Sequence, residues 1–136
     1  MTQNEKGLLL KDLCARLPYG VKSKIKYYDD AWELLAIYTN GTTYASRDIG
    51  YPIETYFEDC KPYLFPLSSM TEEQKKEYTH IVNYISSDDT DNWKEGEFIY
   101  VEQLDQLMHF YHKNHFDYRG LIEKGLAIDA TNLNIY

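Results

Sequence analysis

The stretch WELLAIYTNGTTYAS, Trp32 to Ser46, decides the fold. At its centre Asn40-Gly41 is the strongest short hairpin signal, because both residues tolerate the positive φ of a type I′ turn. To its left, WELLAIYT is apolar on both faces and reads as a central strand. To its right, TTYAS reads as the return strand. A two-residue loop sets Thr39 opposite Thr42 and Ile37 opposite Tyr44.

The neighbouring segments extend this hairpin into a sheet. In VKSKIKYY, Val21, Ser23, Ile25 and Tyr27 alternate with Lys22, Lys24, Lys26 and Tyr28. That period of two predicts a strand with one wet face, turned by Asp29 and Asp30. The three lysines form its solvated face, where lysine also discourages edge pairing. After the hairpin, Ile49 to Phe57 contains Pro52 and reads as an irregular or short helical turn. KPYLF, from Lys61, predicts a last short strand, kept at the sheet edge by Pro62 and stopped by Pro66. Upstream, GLLLKDLCARL over residues 7–17 carries its leucines at mostly helical spacing, and Pro18 and Gly20 end the helix. Cys14 falls on that helix's apolar stripe, where a cysteine is usually a small buried hydrophobe.

Helices follow Pro66. Ser69-Met70-Thr71-Glu72 and Thr71-Glu72-Glu73-Gln74 both match a capping box. Tyr78, Ile81, Val82 and Ile85 then form an apolar stripe. SSDDTDNWKEG, residues 86–96, resembles a calcium loop but lacks the glycine at the sixth place and the glutamate at the twelfth. It reads as a solvated connector. A further helix from about Tyr100 carries Val101, Leu104, Leu107, Met108 and Tyr111 on one face. Leu126 to Asp129, LAID, reads as a short strand or extended arm.

The expected fold class is therefore α+β. A small, strongly bent antiparallel sheet of the SH3-like barrel kind follows an N-terminal helix and precedes a C-terminal helical part. One domain covers residues 1–136, β-rich to residue 67 and helical from 68. Its 136 residues suffice for a core without metal or disulfide.

Charge divides at the same place. Residues 1–67 hold eight Lys/Arg against nine Asp/Glu, and residues 68–136 hold six against thirteen, which together give the net charge of -8. An acidic surface repels phosphate backbones, so nucleic acid is a disfavoured partner and a protein a favoured one. No stretch approaches the ~20 apolar residues of a membrane span. The two cysteines and the lack of a secretory leader suggest a cytoplasmic chain with reduced thiols.

Three of the four histidines lie in HFYHKNHFDYRG, residues 109–120. With Leu104 at zero on a helical wheel, His115, His112 and His109 fall at about 20°, 80° and 140°. They fan outward, whereas a metal site wants convergent ligands. The expectation is that His115 packs at the helix end and that His112 and His109 lie at its boundary and surface. Asp117 reads as the N-cap of the turn YRGLIEKG, closed by Gly125.

Three blocks carry a family resemblance: RLPYGVK (Arg16 to Lys22), KPYLFPLSSMTEEQKKEY (Lys61 to Tyr78) and HFDYRGLIEKGLAI (His115 to Ile128). They resemble small uncharacterised proteins of Bacteroides-type gut bacteria and their phages. The family more often has arginine where Phe65 stands and proline where Glu123 stands. The resemblance implies a phage or prophage setting and supplies no catalytic residue.

No phosphate-cradling glycine-rich loop, GxSxG or HExxH motif is present. The favoured function class is thus a protein-interaction module without a cofactor. Lys61, Tyr63, Phe65, Tyr118 and Arg119 are its candidate partner-binding residues, and tyrosine richness suits an interface. The alternative class is a metal-dependent enzyme or regulator built on His109, His112, His115 and Asp117, with zinc as the candidate metal. A catalytic cysteine set around Cys14 and Asp117 is disfavoured, since a reactive thiol needs an electropositive, partly exposed setting.

Overall fold

The computed structural model describes residues 1–83 and 101–136. Among these residues the chain forms three α-helices and a seven-stranded mixed sheet. The order of the main path is β4-β3-β2-β1-β5-β6, with β7 also paired to β5. The α+β class is as expected. Among the described residues the sheet does not close into a barrel, so β4 keeps an open edge.

Helix α1 (Gln3–Arg16) begins earlier than its leucines indicate. Thr2 and Glu5 form a reciprocal capping box, Glu5 N donating to Thr2 Oγ1 at 3.1 Å and Thr2 N to Glu5 Oε1 at 2.9 Å. A 3-10 turn through Pro18 then ends at Gly20, whose φ of 69° is left-handed. The buried face of α1 is Leu9, Asp12, Leu13 and Arg16. Leu9 and Leu13 pack on Val21, Ile25, Trp32, Leu34, Ala45, Phe57 and Cys60. Cys14 is exposed, one position off this face.

Strand β1 (Lys22–Ile25) buries Ser23 and Ile25, with Val21 just before it, as the alternation predicts. The strand stops short of Tyr27, which takes a φ of 72° and is exposed. The hairpin of β2 (Trp32–Ile37) and β3 (Thr42–Ser46) stands where expected, one residue out of the expected register. Ile37 faces Thr43 rather than Tyr44. Gly41 N donates to Tyr38 O and Tyr38 N to Thr42 O, so the loop is Thr39-Asn40-Gly41. Only Gly41 in that loop has positive φ, at 91°. This is a type I turn with a glycine bulge, which needs one left-handed residue instead of two. Strand β2 is central, between β1 and β3, but a second bulge between Leu34 and Ala36 leaves Leu35 unpaired and half exposed, so β2 is not buried on both faces.

The segment expected to be irregular contains a fourth strand, β4 (Ile53–Tyr56), antiparallel to β3. Strand β5 (Cys60–Pro66) is neither last nor at an edge. It pairs antiparallel with β1 and in parallel with two later strands, β6 (Phe116–Asp117) and β7 (Ile128–Asp129). Pro62 is tolerated there for a geometric reason. Lys26 N donates to Asp59 O, so two-residue alternation makes Ser23↔Pro62 a pair without mutual hydrogen bonds. Pro62 therefore has no bond to β1 to lose.

Helix α2 (Glu72–Asn83) is capped by the second of the two boxes, with Thr71 N to Gln74 Oε1 at 2.8 Å and Gln74 N to Thr71 Oγ1 at 3.1 Å. Ile81 and Val82 pack against Leu107, Phe110 and Tyr111 of helix α3 (Val101–Lys113) and against Phe116. The buried face of α3 runs through Gln103, Leu107, Phe110 and Tyr111, while Leu104 is exposed. The expected connector 86–96 and Ile85 lie outside the described residues. A third cluster joins Leu64, Leu121, Leu126 and Ala127, with Leu8 of α1 against it. No helix among the described residues is long and apolar enough to cross a membrane.

Candidate functional site

Asp12 and Arg16 stand one turn apart on the buried face of α1, both at 0% exposure. Arg16 Nε donates to Asp12 Oδ2 at 2.8 Å, and its Nη2 donates to Phe116 O at 2.6 Å, which ties α1 to β6. The other Asp12 oxygen accepts from Arg119 Nε at 3.1 Å. One buried carboxylate thus serves two guanidinium groups. A buried charge is tolerated only when paired and hydrogen-bonded in this way.

The network continues outward. Arg119 Nη2 donates to Tyr118 Oη at 3.0 Å, and Tyr118 Oη lies 2.7 Å from His112 Nε2. Both guanidinium groups also lie against the Tyr118 ring, at 5.3 Å for Arg16 and 4.8 Å for Arg119. With His112 neutral and its hydrogen on Nδ1, the Tyr118 hydroxyl, which accepts from Arg119, donates to Nε2. Burial holds the His112 pKa below its usual value, and the Arg16 charge adds to the effect. Beside them Tyr19 Oη lies 2.9 Å from His109 Nδ1.

The four expected metal ligands do not come together. Helix α3 ends at Lys113, and His115 turns away in a left-handed conformation with φ of 58°. Its ring stacks on Tyr136 at 3.6 Å between centroids and 10° between planes. Burial, then the charges of Arg16 and Lys22, lower its pKa to about 4. Asp117 is a cap: its carboxylate accepts from Leu121 N and Ile122 N, each at 2.9 Å. His109 bonds Tyr19 and His112 bonds Tyr118. Each candidate ligand is committed to a different neighbour, and among the described residues no three His, Cys, Asp or Glu form a metal-holding group. The expected order of histidine exposure is otherwise seen: His115 and His112 are buried and His109 is exposed.

The expected partner-binding residues are mostly occupied within the fold. Tyr63 is buried, with its backbone oxygen accepting from Tyr136 Oη at 2.9 Å. Phe65 packs against Tyr136 and the α2–α3 cluster. Tyr118 stacks on Tyr111 at 4.9 Å, and Arg119 is held by Asp12. Of the five, only Lys61 is exposed. The Cys60 thiol is buried and its pKa is pushed up to about 12, which makes it a poor nucleophile. Partial burial also raises the pKa of Cys14.

The open apolar surface lies elsewhere, on the outer face of β2–β3–β4. Tyr38, Thr42 and Tyr56 form one row across the three strands, and Ala36, Tyr44 and Glu54 form the next. Tyr38 and Tyr56 are 56% and 58% exposed and Leu35 is 49% exposed. Tyr38 meets Tyr44 edge-on at 5.5 Å. The neighbouring Glu54 charge raises the Tyr44 pKa. The sequence signal for this surface was the tyrosine spacing across the Asn-Gly turn, readable only in the correct register. No family model, curated protein or solved structure matches this chain.

Proposed function

We propose that the chain is a small protein-interaction module, with the phage or prophage setting that its three sequence blocks imply. One observation carries the reading: Leu35, Tyr38 and Tyr56, with Tyr44 between, expose large apolar groups side by side on a sheet face that no helix covers among the described residues. Clustered exposed apolar groups mark binding surfaces, whereas scattered ones do not. Tyrosine suits the role because its ring supplies contact area and its hydroxyl stays wet in the free protein. The two candidate surfaces read from the sequence, Lys61–Phe65 and Tyr118–Arg119, are replaced by this one.

The test is affinity capture from a Bacteroides-type bacterial lysate with a tag that is not polyhistidine. A stoichiometric partner is expected with the native chain and is lost with Tyr38→Ala/Tyr56→Ala. Truncation of an interface tyrosine that acts as a hot spot costs about 2 kcal/mol or more. Capture of nothing, or of a partner indifferent to both substitutions, overturns the reading.

A further inference from the structure

We infer that the open edge of β4 receives an extended, basic segment of the protein partner, which adds to the sheet as a further strand. This rests on the interaction reading above and gives it a geometry. Strand β4 ends the sheet path, while the edge of β5 opposite β1 is occupied by β7. Phe57 N donates to Gly41 O, so alternation directs the backbone groups of Ile53 and Thr55 to β3. Glu54 and Tyr56 point the other way. Glu54 N–H, Glu54 C=O and Tyr56 N–H therefore face outward, while Tyr56 O is within 3.5 Å of Cys60 Sγ. Strand addition uses such groups for affinity and the alternating side chains for choice of partner.

The edge strand is short and carries Pro52 at one end and Glu54 within it, and Ile53 to Tyr56 holds no lysine. Charge decides the occupant. Asp48 to Asp59 contains Asp48, Glu54, Glu58 and Asp59 and no Lys or Arg. Glu58 pairs with Lys6 at 3.5 Å. Among the described residues Asp48 and Glu54 are in no ion pair. A second copy of this chain is a poor occupant. A two-fold pairing centred on Glu54 sets like charges opposite each other and Pro52 opposite Tyr56. A pairing shifted by two residues still lays two acidic segments together. A segment alternating Lys or Arg with aliphatic residues sets its cationic face beside Glu54 and Tyr56, which share the outer face, and its aliphatic face beside Ile53 and Thr55 on the inner one.

The probe is a synthetic heptapeptide alternating valine and lysine, titrated into the full chain while amide exchange is followed by NMR. Protection of the Glu54 and Tyr56 amides is expected to rise about tenfold or more, since neither has a partner among the described residues. Glu54→Pro removes an outward N–H that the β3 ladder does not use, so it abolishes binding with little change in thermal midpoint. Glu54→Gln keeps the N–H, and weakened, less salt-sensitive binding is expected. Unchanged Glu54 and Tyr56 amides at millimolar peptide overturn the proposal, as does undiminished binding by both variants. So does a dimer in sedimentation with those amides already protected. In the lysate experiment, a partner lost with Tyr38→Ala/Tyr56→Ala but kept by Glu54→Pro overturns the edge geometry alone. No partner at all overturns the interaction reading beneath it.

Discussion

Asp12 shows what a single buried charge demands. Its two oxygens accept from Arg16 and Arg119, one negative charge serving two positive ones, and Arg16 is wholly enclosed. Asp12→Ala leaves Arg16 buried without its counter-charge, and a cost of about 3–5 kcal/mol is expected in chemical unfolding. Asp12→Leu/Arg16→Met removes both charges, and its expected cost is clearly smaller. Equal losses from the two variants would show that the pair does not act as a charge pair. His115 gives a second residue-scale expectation. Its pKa falls from 6.5 in the unfolded chain to about 4 in the fold, so the unfolded chain takes the proton first. The contribution of the neutral ring is complete above pH 6.5 and is lost as pH falls toward about 4. The integrated change is about 3 kcal/mol. His112 is shifted in the same direction. A His115→Phe variant keeps the Tyr136 stack and is expected to flatten the stability profile between those limits.

At the scale of elements, turn chemistry was legible and register was not. Asn40-Gly41 marks the hairpin, but two turn types use that dipeptide, and they differ by one loop residue. One residue exchanges the faces of a strand. Hence the tyrosines that form the open face could not be located before Ile37 was seen opposite Thr43. Gly41 carries the choice. It has φ of 91°, and a Cβ there would stand 3.3 Å from two carbons of the Phe57 ring. Gly41→Ala is expected to cost about 1–3 kcal/mol in thermal or urea unfolding, the usual cost of a non-glycine residue held in a sparsely populated conformation. A cost near zero would mean that the loop can change to another turn type. Pro62 misled for a related reason. Proline excludes a strand from a sheet interior only when its nitrogen faces a partner, and pairing parity is invisible in one sequence. The two-residue strands β6 and β7 have no period to detect, and their parallel pairing brings together segments more than fifty residues apart in sequence.

For the whole molecule, the division of the chain into a sheet half and a helical half holds for composition but not for structure. Composition changes near Pro66, yet the last two strands of the sheet come from the acidic half. Helix α1 crosses the division as well, because Arg16 reaches Phe116 O and Leu8 reaches the Leu121–Ala127 cluster. Strand β5 makes the strongest link. It places Cys60 in the sheet cluster, Leu64 in the third cluster and Phe65 against the helical one. Leu64 is fully buried in the third cluster, on the strand that joins the other two, so Leu64→Ala loosens the element they share. The expected loss is about 2–5 kcal/mol, the usual range for a buried leucine. Its distribution is the informative quantity. If the clusters open together, the slowest-exchanging amides of β2 and of α3 share one opening free energy, and Leu64→Ala lowers both equally. If the helical cluster were an independent unit, the α3 amides would exchange by a cheaper route and the two sets would respond differently. The shared strand and the buried Asp12–Arg16 tie argue for the first outcome, because neither half can unfold without exposing a charge or an apolar strand that the other half covers.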